Sequence, residues 1–216
     1  MTRWPRRTQL EVLAVFLTGV LHPVFGRVLH LQAVFIVAAL AGWAAYIGLS
    51  VWRDASLLHE WGFSSRGLAR ATLATALAAA VGFLGMGAIA RSEGALRVHW
   101  HMLPLLLLYP VWGLVQQFLV QAIFVRPLCL GPRALVPPLV GTGIAAVLFA
   151  AVHLPGPRLT MATGLLGLVF TPIYLRWRNL WPLGLFHGWL GVAAYFWLLQ
   201  RDPWAELLAG LDRAAR

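Results

Sequence analysis

The feature that most constrains this chain is a succession of seven apolar runs, each near the length a helix needs to cross a bilayer. They cover Leu10 to Leu29, Leu31 to Trp52, Ala69 to Ala90, Met102 to Phe124, Ala134 to Leu154, Leu159 to Leu175 and Pro182 to Leu199. About twenty residues at a 1.5 Å rise span a hydrocarbon layer of about 30 Å. Backbone in lipid must satisfy its own hydrogen bonds, so runs of this kind fold as helices. The links are too short for soluble domains: Arg91 to His101, Arg126 to Arg133, Pro155 to Arg158 and Arg176 to Trp181. The expectation is an all-α, polytopic transmembrane helical bundle of about seven spans. Composition agrees, because only 11% of residues are charged and a water-facing surface needs about 25%.

The 17 basic residues, all arginine, outnumber 7 acidic ones. A nucleic-acid partner does not follow, because the arginines stand singly or in pairs between apolar runs, where guanidinium groups reach lipid headgroups. The expected surroundings are membrane lipids, in a bacterial-type inner membrane. With seven spans and the N-terminus inside, ten arginines fall inside against seven outside, favouring a cytoplasmic N-terminus. The single Cys129 leaves no internal disulfide to form. The 53–68 link mixes charge with Leu57, Leu58, Trp61 and Phe63, as in a short amphipathic helix on the membrane surface. The tail, 201–216, with Leu207, Leu208 and Leu211 at helical spacing, reads the same way.

Polar side chains in hydrocarbon are costly and mark bundle interiors or cavities. Gln116, Gln117 and Gln121 share the fourth run, Gln117 and Gln121 on one helical face. His153 ends the fifth run and His187 lies near the start of the seventh. Glutamines also tie membrane helices together by hydrogen bonds, and a histidine at a span end also serves as an interfacial group. Five such residues on three spans form a set able to line one cavity. His22, His30, His59, His99 and His101 fall near links and are expected to be solvated. No metal and no cofactor are expected, because two histidines with amide oxygens lack a third strong ligand.

The order and form of these strings resemble the CPBP family, the Abi-like CAAX-protease and bacteriocin-processing group of intramembrane glutamic endopeptidases. That family shows EExxxR in one span, FxxxH ending a later one and HxxxN near the start of another. Phe149 to His153 matches FxxxH, with Pro155 behind it, and His187 matches the histidine of the third motif. Gln116-Gln117-Phe-Leu-Val-Gln121 stands where EExxxR belongs, and Gly191 stands at the asparagine position. Glu60-Trp-Gly-Phe63 with Arg66 is similar to the amphipathic link before the core. The resemblance implies N-terminal spans to residue 57, a peptidase-like core over 58–200 and a tail over 201–216.

In the family, the paired glutamates and first histidine are implied to activate a water, while the second histidine and the asparagine stabilise the oxyanion. A glutamine amide has no useful basicity, so QQxxxQ removes the acids and the arginine that would balance them. The change reads as a re-neutralised site, since an isolated buried arginine is costly. None of Glu11, Asp54, Glu60, Glu93, Asp202, Glu206 and Asp212 falls inside the third to seventh runs. Three readings stand. The first is a CPBP-type endopeptidase scaffold whose polar cavity of Gln116, Gln117, His153 and His187, supported by Gln121, Phe149 and Gly191, processes a membrane-anchored or C-terminal peptide. The second is a pseudo-peptidase that binds a peptide, lipid or partner helix. The third is a small transporter or membrane assembly subunit.

Overall fold

A computed structural model describes residues 4–29 and 31–214, without the side chains of 27, 32, 33 and 210–214. His30 therefore lies outside the described residues, as do the side chains of Leu211 and Asp212. The chain is a bundle of helices: α1 (Arg6–Pro23), α2 (Gln32–Arg53), α3 (Ser56–Trp61), α4 (Leu68–Ser92), α5 (Met102–Gln117), α6 (Arg126–Cys129), α7 (Pro138–Ala151), α8 (Pro157–Trp177), α9 (Trp181–Ala193) and α10 (Pro203–Ala214). Three of them run on into wider π-helical turns, α1 over Val24–Val28, α5 over Phe118–Val125 and α9 over Ala194–Leu198.

All seven apolar runs are helical, yet fewer are long enough to cross. Arg6–Gly26, Val34–Arg53, Leu68–Ser92, Met102–Cys129 and Pro157–Trp177 qualify by length and hydropathy. A sixth is reached if Trp181–Leu198 is joined to Pro203–Ala209 across an 87° bend. The expected fifth span shrinks to α7, whose 14 residues make a rod of about 21 Å, short of the hydrocarbon thickness. Prolines at 137, 138, 155 and 157 trim both its ends. Among the described residues five or six helices thus qualify, against the seven spans expected, in an integral, multi-pass membrane protein.

Side-chain size shows which solvent covers the bundle. Along α4, Ala71, Thr75 and Ala79 are buried completely, while Leu73, Leu77, Val81 and Leu84 are all more than 60% exposed. Small residues face the neighbouring helices and large apolar ones face outward, an arrangement that water would oppose and lipid accepts. Threonines inside the helices satisfy themselves on the preceding turn: Thr75 donates to the Ala71 carbonyl at 2.7 Å and Thr142 to that of Pro138 at 2.8 Å.

The link between α2 and α4 departs from expectation. The apolar face of its helix α3 is turned to protein: Leu57 and Trp61 are buried in the main core cluster, with the Trp61 ring edge-on to Phe118 at 5.1 Å. Polar ties hold it there. Tyr174 donates its hydroxyl to the Trp61 carbonyl at 3.0 Å, and the buried Asn179 amide donates to the Ser64 carbonyl at 2.7 Å. Gly62, at φ +100°, lets the strap meet the turn after α8, because a Cβ there would fall 2.7 Å from the Arg178 carbonyl oxygen. An apolar spacing reports which residues avoid water; whether they avoid it in lipid or in protein depends on these tertiary ties.

Candidate functional site

The site is built where α5 crosses α9. Pro110 lies inside α5 and has no N–H to give the Leu106 carbonyl one turn back. That carbonyl is taken by the Trp189 indole N–H of α9, at 3.0 Å, as membrane helices require of a freed backbone acceptor. The crossing is close because glycines face each other. A Cβ on Gly113 would fall 2.5 Å from the Gly184 carbonyl oxygen, and one on Gly188 would fall 2.4 Å from the Pro110 nitrogen. Gly188 follows His187, and Gly113 stands one turn before Gln117, so the contact brings those two side chains together.

Gln117 and His187 form the centre. Gln117 Nε2 is 3.2 Å from His187 Nδ1, and both residues are buried. Gln121 donates from its Nε2 to Gln117 Oε1 at 3.2 Å and to Thr171 Oγ1 of α8 at 3.1 Å. The result is a directed chain: Gln121 gives to Gln117, and Gln117 gives to the His187 ring, whose Nδ1 accepts. In the neutral ring the proton then sits on Nε2. Gln121 Oε1 is fully buried and has no hydrogen-bond partner among the described residues. The π-helical turns that start right after Gln117 carry Gln121, and seven of their eight residues are buried. Such turns recur at functional sites, because they re-aim side chains without breaking a helix.

His153 occupies the turn after α7. Its Nδ1 lies 2.7 Å from the Phe149 carbonyl oxygen, which can only accept, so the ring donates there and caps the helix end. Its Nε2 keeps the lone pair. The Phe149 ring stands between the two histidines, edge-on to His153 at 5.1 Å and to His187 at 5.5 Å. The FxxxH string is therefore one spatial unit, with Phe149 as its spacer.

The remaining expected members sit apart. Gln116 is half-buried and makes no hydrogen bond to this set among the described residues. Gly191 faces the Tyr109 ring, which a Cβ there would meet at 3.4 Å, so nothing at that position donates to an oxyanion. Of Gln116, Gln117, His153 and His187, the expected lining of one polar cavity, Gln117 and His187 meet in the chain Gln121–Gln117–His187, and His153 lies across the Phe149 ring from it. One hollow of about 590 Å³ lies away from this hydrogen-bonded chain, beside Arg66, Arg70, Arg176 and Arg178.

No described carboxylate enters the site. Glu60 pairs with Arg126 at 3.0 Å, Glu93 takes both nitrogens of Arg158 at 2.8 Å, and Glu206 pairs with Arg201. Glu11 is held by Arg7 and Tyr46, Asp54 by Ser56, and Asp202 by His101. His22 was not expected here. It is half-buried in α1, its ring packs edge-on to Phe35 at 5.9 Å, and it lies within electrostatic range of His153. The signal was its place inside an apolar run beside Pro23, outweighed by its nearness to a link. His59 and His99 are exposed, as expected, whereas His101 is half-buried against Asp202.

Residues 98–193 match the family described as type II CAAX prenyl endopeptidase Rce1-like. The matched stretch holds Gln116, Gln117, Gln121, Phe149, His153, His187 and Gly191. No curated protein and no solved structure matches the chain.

Proposed function

Since the chain carries a CPBP-family membrane protease scaffold over residues 98–193, we propose that it holds a membrane-associated peptide against the Gln117–His187 centre without cutting it by the carboxylate route. The family's printed name points to prenylated C-terminal peptides as the ligand class. One observation carries the reading: the position where a general base is implied holds a buried amide, tied into the chain Gln121–Gln117–His187. An amide takes up no proton near neutral pH, so it aligns donors and acceptors but activates no water.

The test is binding and cleavage of a fluorescent prenylated C-terminal peptide by the full chain in nanodiscs. The expected result is saturable binding with no cleavage, weakened at least about tenfold in His187→Ala, where a buried donor is lost. Gln116→Glu with Gln117→Glu and Gln121→Arg is expected to give cleavage that the parent lacks. Steady cleavage by the parent would refute the proposal. A second reading rests on the tautomer of His153, whose Nε2 keeps a lone pair across the Phe149 ring from His187, a base in outline. Parent cleavage that disappears in His153→Ala would establish it in place of the first.

A further inference from the structure

A second cluster of metal-binding side chains lies at one end of the bundle, away from the glutamine–histidine chain. His99 and His101 stand in the link before α5, and Asp202 in the turn between α9 and α10. Each offers one ligand atom, and the three lie within 4.8 Å of one another. The His99 and His101 ring centres are 4.2 Å apart, and His101 Nδ1 is 2.5 Å from Asp202 Oδ2. Met102 starts α5 fifteen positions before Gln117, which puts the cluster roughly 20 Å along that helix from the site above.

We propose that His99, His101 and Asp202 form a binding site for a divalent transition-metal ion of the zinc type, clamping the C-terminal helix to the start of α5. Two imidazoles and one carboxylate are a donor set that Zn²⁺ takes, with water in the fourth position. Bonds of about 2.0–2.1 Å place tetrahedral ligands about 3.3 Å apart, so side-chain rotations of an ångström or so bring the present atoms to that spacing. The carboxylate is already oriented. Asp202 Oδ1 caps α10 by accepting the Trp204 N–H at 3.1 Å and the Ala205 N–H at 3.0 Å, which turns Oδ2 toward His101. Such outer contacts fix a ligand before the metal arrives. The neighbouring Arg201 is engaged by Glu206, 2.6 and 2.9 Å away, so its charge does not compete for Asp202. His99 is exposed and gives the ion an entry path.

The ion would join two segments 101 positions apart in sequence at the 87° bend where α10 leaves the bundle. Its role there is to set the position of α10.

The test is titration of the full, untagged chain in nanodiscs with Co²⁺, followed by visible absorption, and then displacement by Zn²⁺. The expected result is one equivalent of bound Co²⁺, displaced by Zn²⁺, with α10 becoming more resistant to proteolysis as metal binds. His99→Ala removes an exposed side chain, and Asp202→Asn keeps a capping oxygen because Asn caps as well as Asp. Each is expected to weaken binding at least about tenfold, with His59→Ala leaving it unchanged. No binding by the parent, or equal binding by parent, His99→Ala and Asp202→Asn, would overturn the proposal and leave His101–Asp202 as a plain ion pair.

Discussion

Replacing Gly188 by alanine adds a single methyl group at the tightest point of the α5–α9 crossing. Its carbon would fall 2.4 Å from the Pro110 nitrogen, 2.5 Å from the Tyr109 carbonyl carbon and 2.6 Å from Pro110 Cα. All three are backbone atoms, so no side chain can swing aside. Ordinary contact begins at 3.4 Å, and the helices must therefore part by about 1 Å. The Gln117–His187 contact, now 3.2 Å, would stretch past hydrogen-bonding range, and Trp189 would draw away from the Leu106 carbonyl. Overpacking of this kind costs about 1–3 kcal/mol, and a buried polar group left without its partner about 1–3 more. Gly87→Ala is the control, because nothing lies within 4 Å of its Cβ position and alanine favours a helix by up to about 1 kcal/mol. Gly82→Ala should fall between them, since its nearest neighbour, at 3.0 Å, is the flexible tip of Leu190. The assay is the midpoint of heat-induced loss of the monodisperse protein in one detergent, for parent and three variants. The expected order of stability is Gly87→Ala at or above the parent, then Gly82→Ala, then Gly188→Ala well below. A Gly188→Ala protein as stable as the parent would refute the backbone contact on which the site is built.

Trp61→Ala should cost about 3–5 kcal/mol by emptying the space against Phe118, whereas a surface-lying helix would lose little; the same thermal assay separates the two. Burial pushes the Asp202 carboxyl up, but the Ala205 N–H, the His101 ring and the Trp204 N–H outweigh it and hold the group below its ordinary value. A depressed folded value means that its contribution to α10 is present in full above about pH 4 and is lost as pH falls further. Proteolysis of α10 should therefore quicken between pH 6 and pH 3 under matched protease activity, and Asp202→Asn should flatten that difference. Arg158→Ala breaks a two-nitrogen pair with Glu93 and a 2.9 Å bond to the Leu198 carbonyl. Both side chains are well exposed, so the expected loss is no more than about 1 kcal/mol, read by the same thermal assay.

The amino-acid order determined the medium, the class and the identity of the polar set. Long apolar runs with few charges leave only helices in lipid, since backbone groups there have no other partners. The glutamines and histidines stood out because hydrocarbon penalises them, and their order on the spans carried the family resemblance. What stayed hidden depended on contacts between distant segments. Trp61 has the same apolar signal whether it faces lipid or Phe118. Gln116 and Gln117 are neighbours with the same chemistry, and only the glycine crossing of α5 and α9 decides that Gln117 meets His187. His22 reads as a link residue until α1 is laid beside the end of α7. His99 and His101 carry no joint signal with Asp202, which stands about a hundred positions further along the chain. Periodicity and hydropathy describe what surrounds each residue on average; which side chains touch is decided by helix approach, set here by missing side chains at Gly113, Gly184 and Gly188 and by the carbonyl that Pro110 leaves open.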